Sequence, residues 1–304
     1  MDKSIKLAFT LIELLVVIAI IGILSGLIVV TMNGVTAKAN IAKSQVFSNS
    51  LRNALMLNLI SEWKLDNGSG TTIADSWNGG NGGTISGFTD TTAGYGDTHG
   101  SGWMSSSNCI SGTCLKFDGS NDYINVIDNS NLDSNSITVS AWIKIGDSLP
   151  GDWGTIIAKG YQSDNNHFWL CYRTNSGFMF EFGNGTTRSA AYYNITPALN
   201  TWYYVVGTYV SGFQYIYVNG VKGAQQTFIG NLGTNSYPLI MGKASYASNY
   251  YWTGIIDEVR FFNANLPSSQ IREHYYSGLN NLLINGSMSK KEYLSRINDY
   301  AIDN

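Results

Sequence analysis

The 304-residue sequence predicts a mainly β fold: a long N-terminal helix that crosses a membrane, an antiparallel two-sheet sandwich, and a short C-terminal helical tail. Three observations predict it. The long apolar run sits at one end, where Leu14 to Met32 carry no charge. After Leu59, short aromatic and β-branched runs alternate with turns rich in Gly, Asn and Ser, the punctuation of a sandwich. Charged residues are only 13% of the chain, with 33 Gly and 13% aromatics. That balance excludes a disordered chain, which needs high charge and few aromatics. One apolar run excludes a polytopic membrane protein. A net charge of -3 supplies no basic footprint for nucleic acid.

The first element is the N-terminal helix. As a helix, Leu14–Met32 is about 28 Å long at ~1.5 Å per residue, close to the roughly 30 Å hydrocarbon core of a bilayer. Lys3 and Lys6 mark a polar leader, and Glu13 stands at the mouth of the apolar run. A carboxylate entering lipid needs a partner or a proton. It either sits idle in the headgroup layer or is neutralised by a free α-amine of another copy, which requires cleavage before Phe9. The run Lys6-Leu7-Ala8-Phe9-Thr10-Leu11-Ile12-Glu13-Leu14 resembles the type IV prepilin and pseudopilin amino terminus. The resemblance implies cutting between Ala8 and Phe9 by a prepilin peptidase, methylation of the Phe9 nitrogen, and pairing of Glu13 with a neighbouring subunit's amine during assembly. Ala8 departs from the family's usual Gly. The competing reading is a secretory signal cleaved after Ala39, but its apolar region would exceed the usual ~7–15 residues. Val35, Ala39, Ala42 and Val46 keep a helical stripe beyond the lipid. The organisation expected is a leader at 1–8, a pilin-like helix at 9–58, a sandwich domain at 59–279 and a helical tail at 280–304.

The sandwich is read from its strands. Ile137, Val139, Ala141, Ile143 and Ile145 alternate onto one face. Trp202 to Val210 and Phe213 to Val218 are further strands, and Asn219-Gly220 is a strong hairpin signal because both turn residues accept positive φ. Within this region Ser268 to Tyr276 reads as a helix, with Ser268 or Ser269 as its cap. In the tail, Ser289 followed by Glu292 forms a capping-box pattern.

Ordered segments then carry a second resemblance. Trp63-Lys-Leu-Asp66, Asp75-Ser-Trp-Asn78, Leu115-Lys-Phe-Asp118-Gly-Ser-Asn-Asp122, Val139-Ser-Ala-Trp142, Trp202-Tyr-Tyr-Val-Val206, Tyr217-Val-Asn-Gly220 and Gly254-Ile-Ile-Asp257-Glu-Val-Arg260 follow one another. The set resembles the laminin-G-like, concanavalin-A-like jelly-roll domains. Placement of the last strand near the first, which the resemblance implies, makes Asp75, Asn81 and Asp257 candidate ligands for Ca²⁺, an ion that takes six to eight oxygens. The alternative is that Asp75 and its Asn neighbours brace a turn.

Loop aromatics are the candidate ligand-binding set: Trp77, Trp153, Tyr250 and Trp252, with Trp169, Tyr192, Tyr193, Tyr246 and Tyr251 nearby in sequence. Most loop aromatics in such a domain are core or rim residues. Enzyme function is not expected. A sandwich glucanase needs two carboxylates facing one sugar bond, whereas Asp257 and Glu258 are adjacent, so strand alternation points them to opposite faces, and Glu181 stands alone. Cys109 and Cys114 flank a small loop and are expected to pair in an oxidising compartment; Cys171 reads as a buried apolar residue.

The function expected is a pilin-like or pseudopilin subunit. It is anchored by a single pass in the cytoplasmic membrane, with its head exported and carried to the cell surface or pilus on assembly. Its partners are prepilin peptidase, other pilin subunits, the membrane, and a glycan or surface protein met by the head; nucleic acid is not among them. The alternatives are a structural filament or secretion-apparatus subunit whose head binds no glycan, and a membrane-anchored carbohydrate-binding module outside any filament.

Overall fold

The computed structural model describes residues 15–20, 58–78, 80–161, 166–210, 212–228, 230, 234–244 and 250–302. The chain divides into two compact units, Met1–Leu57 and Asn58–Asn304. In the first, residues 15–20 are helical and present exposed Leu15, Val16 and Ile18. Among the described residues no helix is long and apolar enough to cross a membrane. The processing residues Ala8, Phe9 and Glu13, and most of the expected 14–32 span, lie outside the described residues.

The second unit is built from β1 (Leu59–Trp63), β2 (Thr72–Ile73), β3 (Gly83–Ser86), β4 (Gly102–Met104), β5 (Cys114–Asp118), β6 (Tyr123–Val126), β7 (Ile137–Ile145), β8 (Trp153–Tyr161), β9 (Asn166–Arg173), β10 (Gly177–Gly183), β11 (Arg188–Tyr193), β12 (Trp202–Val210), β13 (Gly212–Val218), β14 (Val221–Phe228), β15 (Leu239–Met241) and β16 (Thr253–Phe262). Helices α1 (Ser268–Ile284) and α2 (Lys290–Ile302) follow. The strands form two 8-stranded sheets. The first runs β14-β13-β12-β7-β16-β5-β4, with β1 also on β16; the second runs β11-β10-β9-β8-β15-β6-β3-β2.

The alternation of β7 decides which face meets the core. Ile137, Val139, Ala141, Ile143 and Ile145 are fully buried against Phe168, Leu170, Phe178, Phe180 and Phe182 of the second sheet. Each buried Ile, Val, Leu or Phe among them stabilises the fold by about 1.5–3 kcal/mol. At the Asn219-Gly220 hairpin both φ angles are positive, 52° and 79°, and Val218 pairs with Val221.

The outer face of the first sheet is also apolar, because α1 covers it. Ile271, Tyr275, Leu279 and Leu282 pack on Trp142, Tyr204 and Val206, with Trp142 and Tyr275 rings stacked at 5.6 Å. This buried stripe carries α1 through Ile284, past the helix end expected at Tyr276. Its cap also differs: Pro267 occupies the N-cap without a side-chain hydrogen bond. The Pro267 carbonyl accepts the Gln270 and Ile271 N–H groups at 3.0 and 3.2 Å instead. For α2 the expected Ser289 cap is present, its Oγ accepting the Glu292 N–H at 3.1 Å.

Candidate functional site

Strand alternation places a site on the outer face of the second sheet. On β9, Phe168, Leu170 and Tyr172 enter the core, so His167, Trp169, Cys171 and Arg173 face outward. On β10, Phe178, Phe180 and Phe182 point inward, which turns Met179 and Glu181 outward. On β8 a register shift between Thr155 and Ile157 sends both Ile156 and Ile157 into the core and returns Ala158 to the outer face, where Ala158, Trp169, Cys171, Met179 and Ala244 form a small cluster.

Three aromatic rings stack on that cluster. Trp153 and Trp169 lie 5.0 Å apart at 26°, and Trp169 and Tyr250 5.8 Å apart at 12°. Trp169 is the fixed member: it is buried and its Nε1–H donates to Thr155 Oγ1 at 3.0 Å. Trp153 and Tyr250 are half-buried. The Arg173 guanidinium sits 4.3 Å from the Trp153 ring centroid, a cation–π contact.

A charged row borders the rings. Glu181 is the cross-strand partner of Trp169, and its Oε1 lies 2.7 Å from His167 Nε2 and 3.8 Å from Arg188 Nη1. So Glu181 does not stand alone, as spacing along its own strand implies; its partners come from β9 and β11. Deep burial pushes the Cys171 thiol pKa up, consistent with an inert packing role. The face offers flat apolar rings beside a held carboxylate and two guanidinium groups, the mixture that suits a ligand with both C–H faces and hydroxyls.

A family model described as the concanavalin A-like lectin/glucanases superfamily matches residues 118–272. The chain belongs to that superfamily. Residues 4–29 match the prokaryotic N-terminal methylation motif, so the chain joins a prepilin-type amino terminus to a lectin-like jelly roll. No curated protein matches it. Among solved structures it is similar to domain 4 of AbnA, a GH43 extracellular arabinanase from Geobacillus stearothermophilus, in complex with arabinotriose. That match has 19% identity and a TM-score of 0.52, and covers 71% of this chain and 97% of that one. It is also similar to the binding domain of Paraclostridial Mosquitocidal Protein 1 (14% identity, TM-score 0.57, 74% and 53% covered). The Botulinum neurotoxin serotype D binding domain is a third (18% identity, TM-score 0.54, 73% and 51% covered). The chain spans about half the length of these two toxin domains. At such identities the likeness shows the jelly-roll fold.

Within this lectin-like head the expected ligand set divides. Trp153 and Tyr250 meet in the stack. Trp252 does not: it is fully buried in the central core, because it leads into β16 on that strand's inward side. Trp77 is exposed in the Asp75 turn and makes no ring contact among the described residues. Tyr193 packs against the core, and Tyr246 lies outside the described residues. Periodicity and turn signals do not separate these tryptophans; only the sheet register does.

Of the three expected calcium ligands, Asp75 and Asn81 come together, while Asp257 is engaged elsewhere. Asp75 Oδ1 accepts the N–H groups of Glu62, Trp77 and Asn78, and Oδ2 accepts that of Asn81. Asn81 Nδ2 donates to Ser61 Oγ at 2.6 Å. Asp257 faces the Cys109–Cys114 loop instead, Oδ2 accepting the Ile110 N–H at 2.8 Å and Oδ1 the Glu258 N–H. The two cysteines beside it are joined in a disulfide with Cα atoms 5.6 Å apart, which removes both thiolates as metal ligands. Asp75 thus braces its turn by accepting four backbone N–H groups, while Asn81 Oδ1 is buried without a hydrogen-bond partner.

The opposite-face expectation for Asp257 and Glu258 is also corrected. The β16 register shifts between Asp257 and Arg260, and Glu258 has φ 49°. Ile256 and Val259 both enter the core, so the two acids between them share the outer side, as a bulge requires. The bulge falls where β16 exchanges one neighbour for another: β5 pairs with 253–256 and β1 with 259–262. Arg260 ties Glu258 and Glu62 together. Burial first, then the adjacent Glu258 charge, pushes the Asp257 carboxyl well above the usual range. Burial likewise raises Glu258 and Asp66.

Proposed function

We propose that this chain is a pilin-like subunit, inserted through its N-terminal helix into a filament or pseudopilus, whose lectin-like head binds a glycan through the outer face of the second sheet. The observation that carries the glycan reading is the Trp153–Trp169–Tyr250 stack beside the His167–Glu181–Arg188 row. Sugar rings lay C–H faces on aromatic plates, while Glu181 accepts and Arg173 and Arg188 donate hydrogen bonds to hydroxyls. The arabinotriose named with the related arabinanase domain supports a saccharide as ligand. The methylation motif supports cutting before Phe9, pairing of Glu13 with a neighbour's amine, and anchoring in the cytoplasmic membrane before assembly. The head acts by binding rather than catalysis: Glu181 is clamped between His167 and Arg188, and Asp257 and Glu258 are buried.

The test is a glycan array probed with the full chain in detergent and with Trp153→Ala. Retention on a saccharide is expected, weakened at least about tenfold (~1.4 kcal/mol) in the variant. An array silent for the wild type, with filaments intact, leaves the head as a structural spacer. Release of reducing ends from a polysaccharide would show catalysis instead.

A further inference from the structure

A second concavity, a cleft of about 340 Å³, lies where β7, β12 and α2 meet; Lys144, Asn200, Trp202, Glu292 and Arg296 are among its lining residues. The alternation that buries Ile143 and Ile145 forces Lys144 outward, and the antiparallel register sets Trp202 directly opposite it. Helix α2 is pinned above this pair. Arg296 Nη1 donates to the Trp202 carbonyl at 3.0 Å and Nη2 to Glu292 Oε1 at 2.8 Å, so the guanidinium is held in place while Glu292 stays solvent-exposed.

Lys144 is treated differently. Its ammonium has no hydrogen bond or ion pair among the described residues, although the side chain is half-buried. Burial pulls its pKa down, opposed by the charge of Asp147, whose Oδ1 is taken up by Asn200 Nδ2 at 3.2 Å. An unpaired, partly desolvated ammonium in the same cleft as a fixed guanidinium is costly, and an anion entering the cleft offsets that cost. The volume lies at the small end of ligand pockets, which run about 300–1,000 Å³, and so suits one ring rather than a chain. The side-chain amides of Asn108 and Asn200 line the cleft beside Lys144 and suit a ring with hydroxyls.

We propose that this cleft binds an acidic monosaccharide of the hexuronate class, its carboxylate paired with Lys144 and its hydroxyls toward the side-chain amides of Asn108 and Asn200. The site lies on the other sheet from the Trp153 face and does not depend on that reading. Calorimetric titration of the full chain in detergent with sodium glucuronate, glucose and acetate tests it. Glucuronate is expected to bind at least about tenfold more tightly than either control. Lys144→Met is expected to lose at least about tenfold in glucuronate affinity with an unchanged or higher melting temperature, Lys144→Arg to retain binding, and Trp153→Ala to bind as wild type. The proposal is overturned by no heat from glucuronate up to about 10 mM, by equal binding of glucose or acetate, or by a Lys144→Met chain that binds like wild type. Failure of the outer-face reading appears separately, as an array response unchanged by Trp153→Ala.

Discussion

Asp75→Ala separates a turn brace from a calcium ligand. The carboxylate accepts four backbone N–H groups. In the alanine variant the Trp77 and Asn78 amides reach water, whereas those of Glu62 and Asn81 are enclosed. Each enclosed donor left without an acceptor costs about 1–3 kcal/mol, so the two together cost about 2–6 kcal/mol. For a head of this size about 2–4 °C of melting temperature follows each kcal/mol, and a drop of roughly 8–16 °C is expected from the middle of that range. Asp75→Asn keeps one oxygen and should lose about half as much. The assay is thermal unfolding by circular dichroism in calcium and in EGTA. The drop should be equal in both, and the wild type should not shift on chelation by way of Asp75. If the wild type in EGTA melts where Asp75→Ala does, and the variant is indifferent to calcium, the carboxylate is a ligand and the bracing argument fails.

Three further outcomes are expected. Burial raises the Asp122 carboxyl to about 7, above the unfolded value of about 3.9, so its stabilising effect is complete below that value and fades as pH rises toward 7. Asp257 and Glu258 shift in the same direction. The head should therefore melt lower at about pH 8 than at pH 5, Asp122 contributing at most about 2–3 kcal/mol over that interval, less what solvent screening removes; Asp122→Asn should flatten the profile, and a melting temperature that climbs over this interval contradicts the assignment. Replacing Cys109 and Cys114 by Ser opens a loop of separation 5, a loss of about 2 kcal/mol. Because Asn285 Nδ2 and Ser287 Oγ donate to the Cys109 and Ser107 carbonyls, the α1–α2 corner should become protease-sensitive in that variant; an unchanged digestion pattern argues against the coupling. Mass spectrometry of the mature chain should find N-methylated Phe9, and Glu13→Gln should abolish filaments seen by head-specific labelling; a retained leader or normal filaments would remove the pilin assignment.

Much of the fold is legible in the sequence, for local reasons. The five alternating residues of β7 specify an inward face whatever packs on it, and Asn219-Gly220 specifies its turn through its own φ angles. Gly112 is a contrasting case. Its role is visible only in three dimensions, where φ is 49° and a Cβ would collide with Asp66 of a remote segment. Trp153 and Trp252 look alike in sequence, yet one caps a solvent-facing stack and the other fills the core. Glu181 has no acid–base partner on its own strand, and its neighbours arrive from β9 and β11 by register.

By itself the sequence determined the amino-terminal processing motif, the sandwich and the positions of its turns, because each is written in contiguous residues and short periods. Tertiary structure alone decided the bulge that puts Asp257 and Glu258 on one side, the tryptophans that reach solvent, and the meeting of Lys144 with Arg296. Those outcomes depend on which strands become neighbours and in what register, and a one-residue slip exchanges inside for outside.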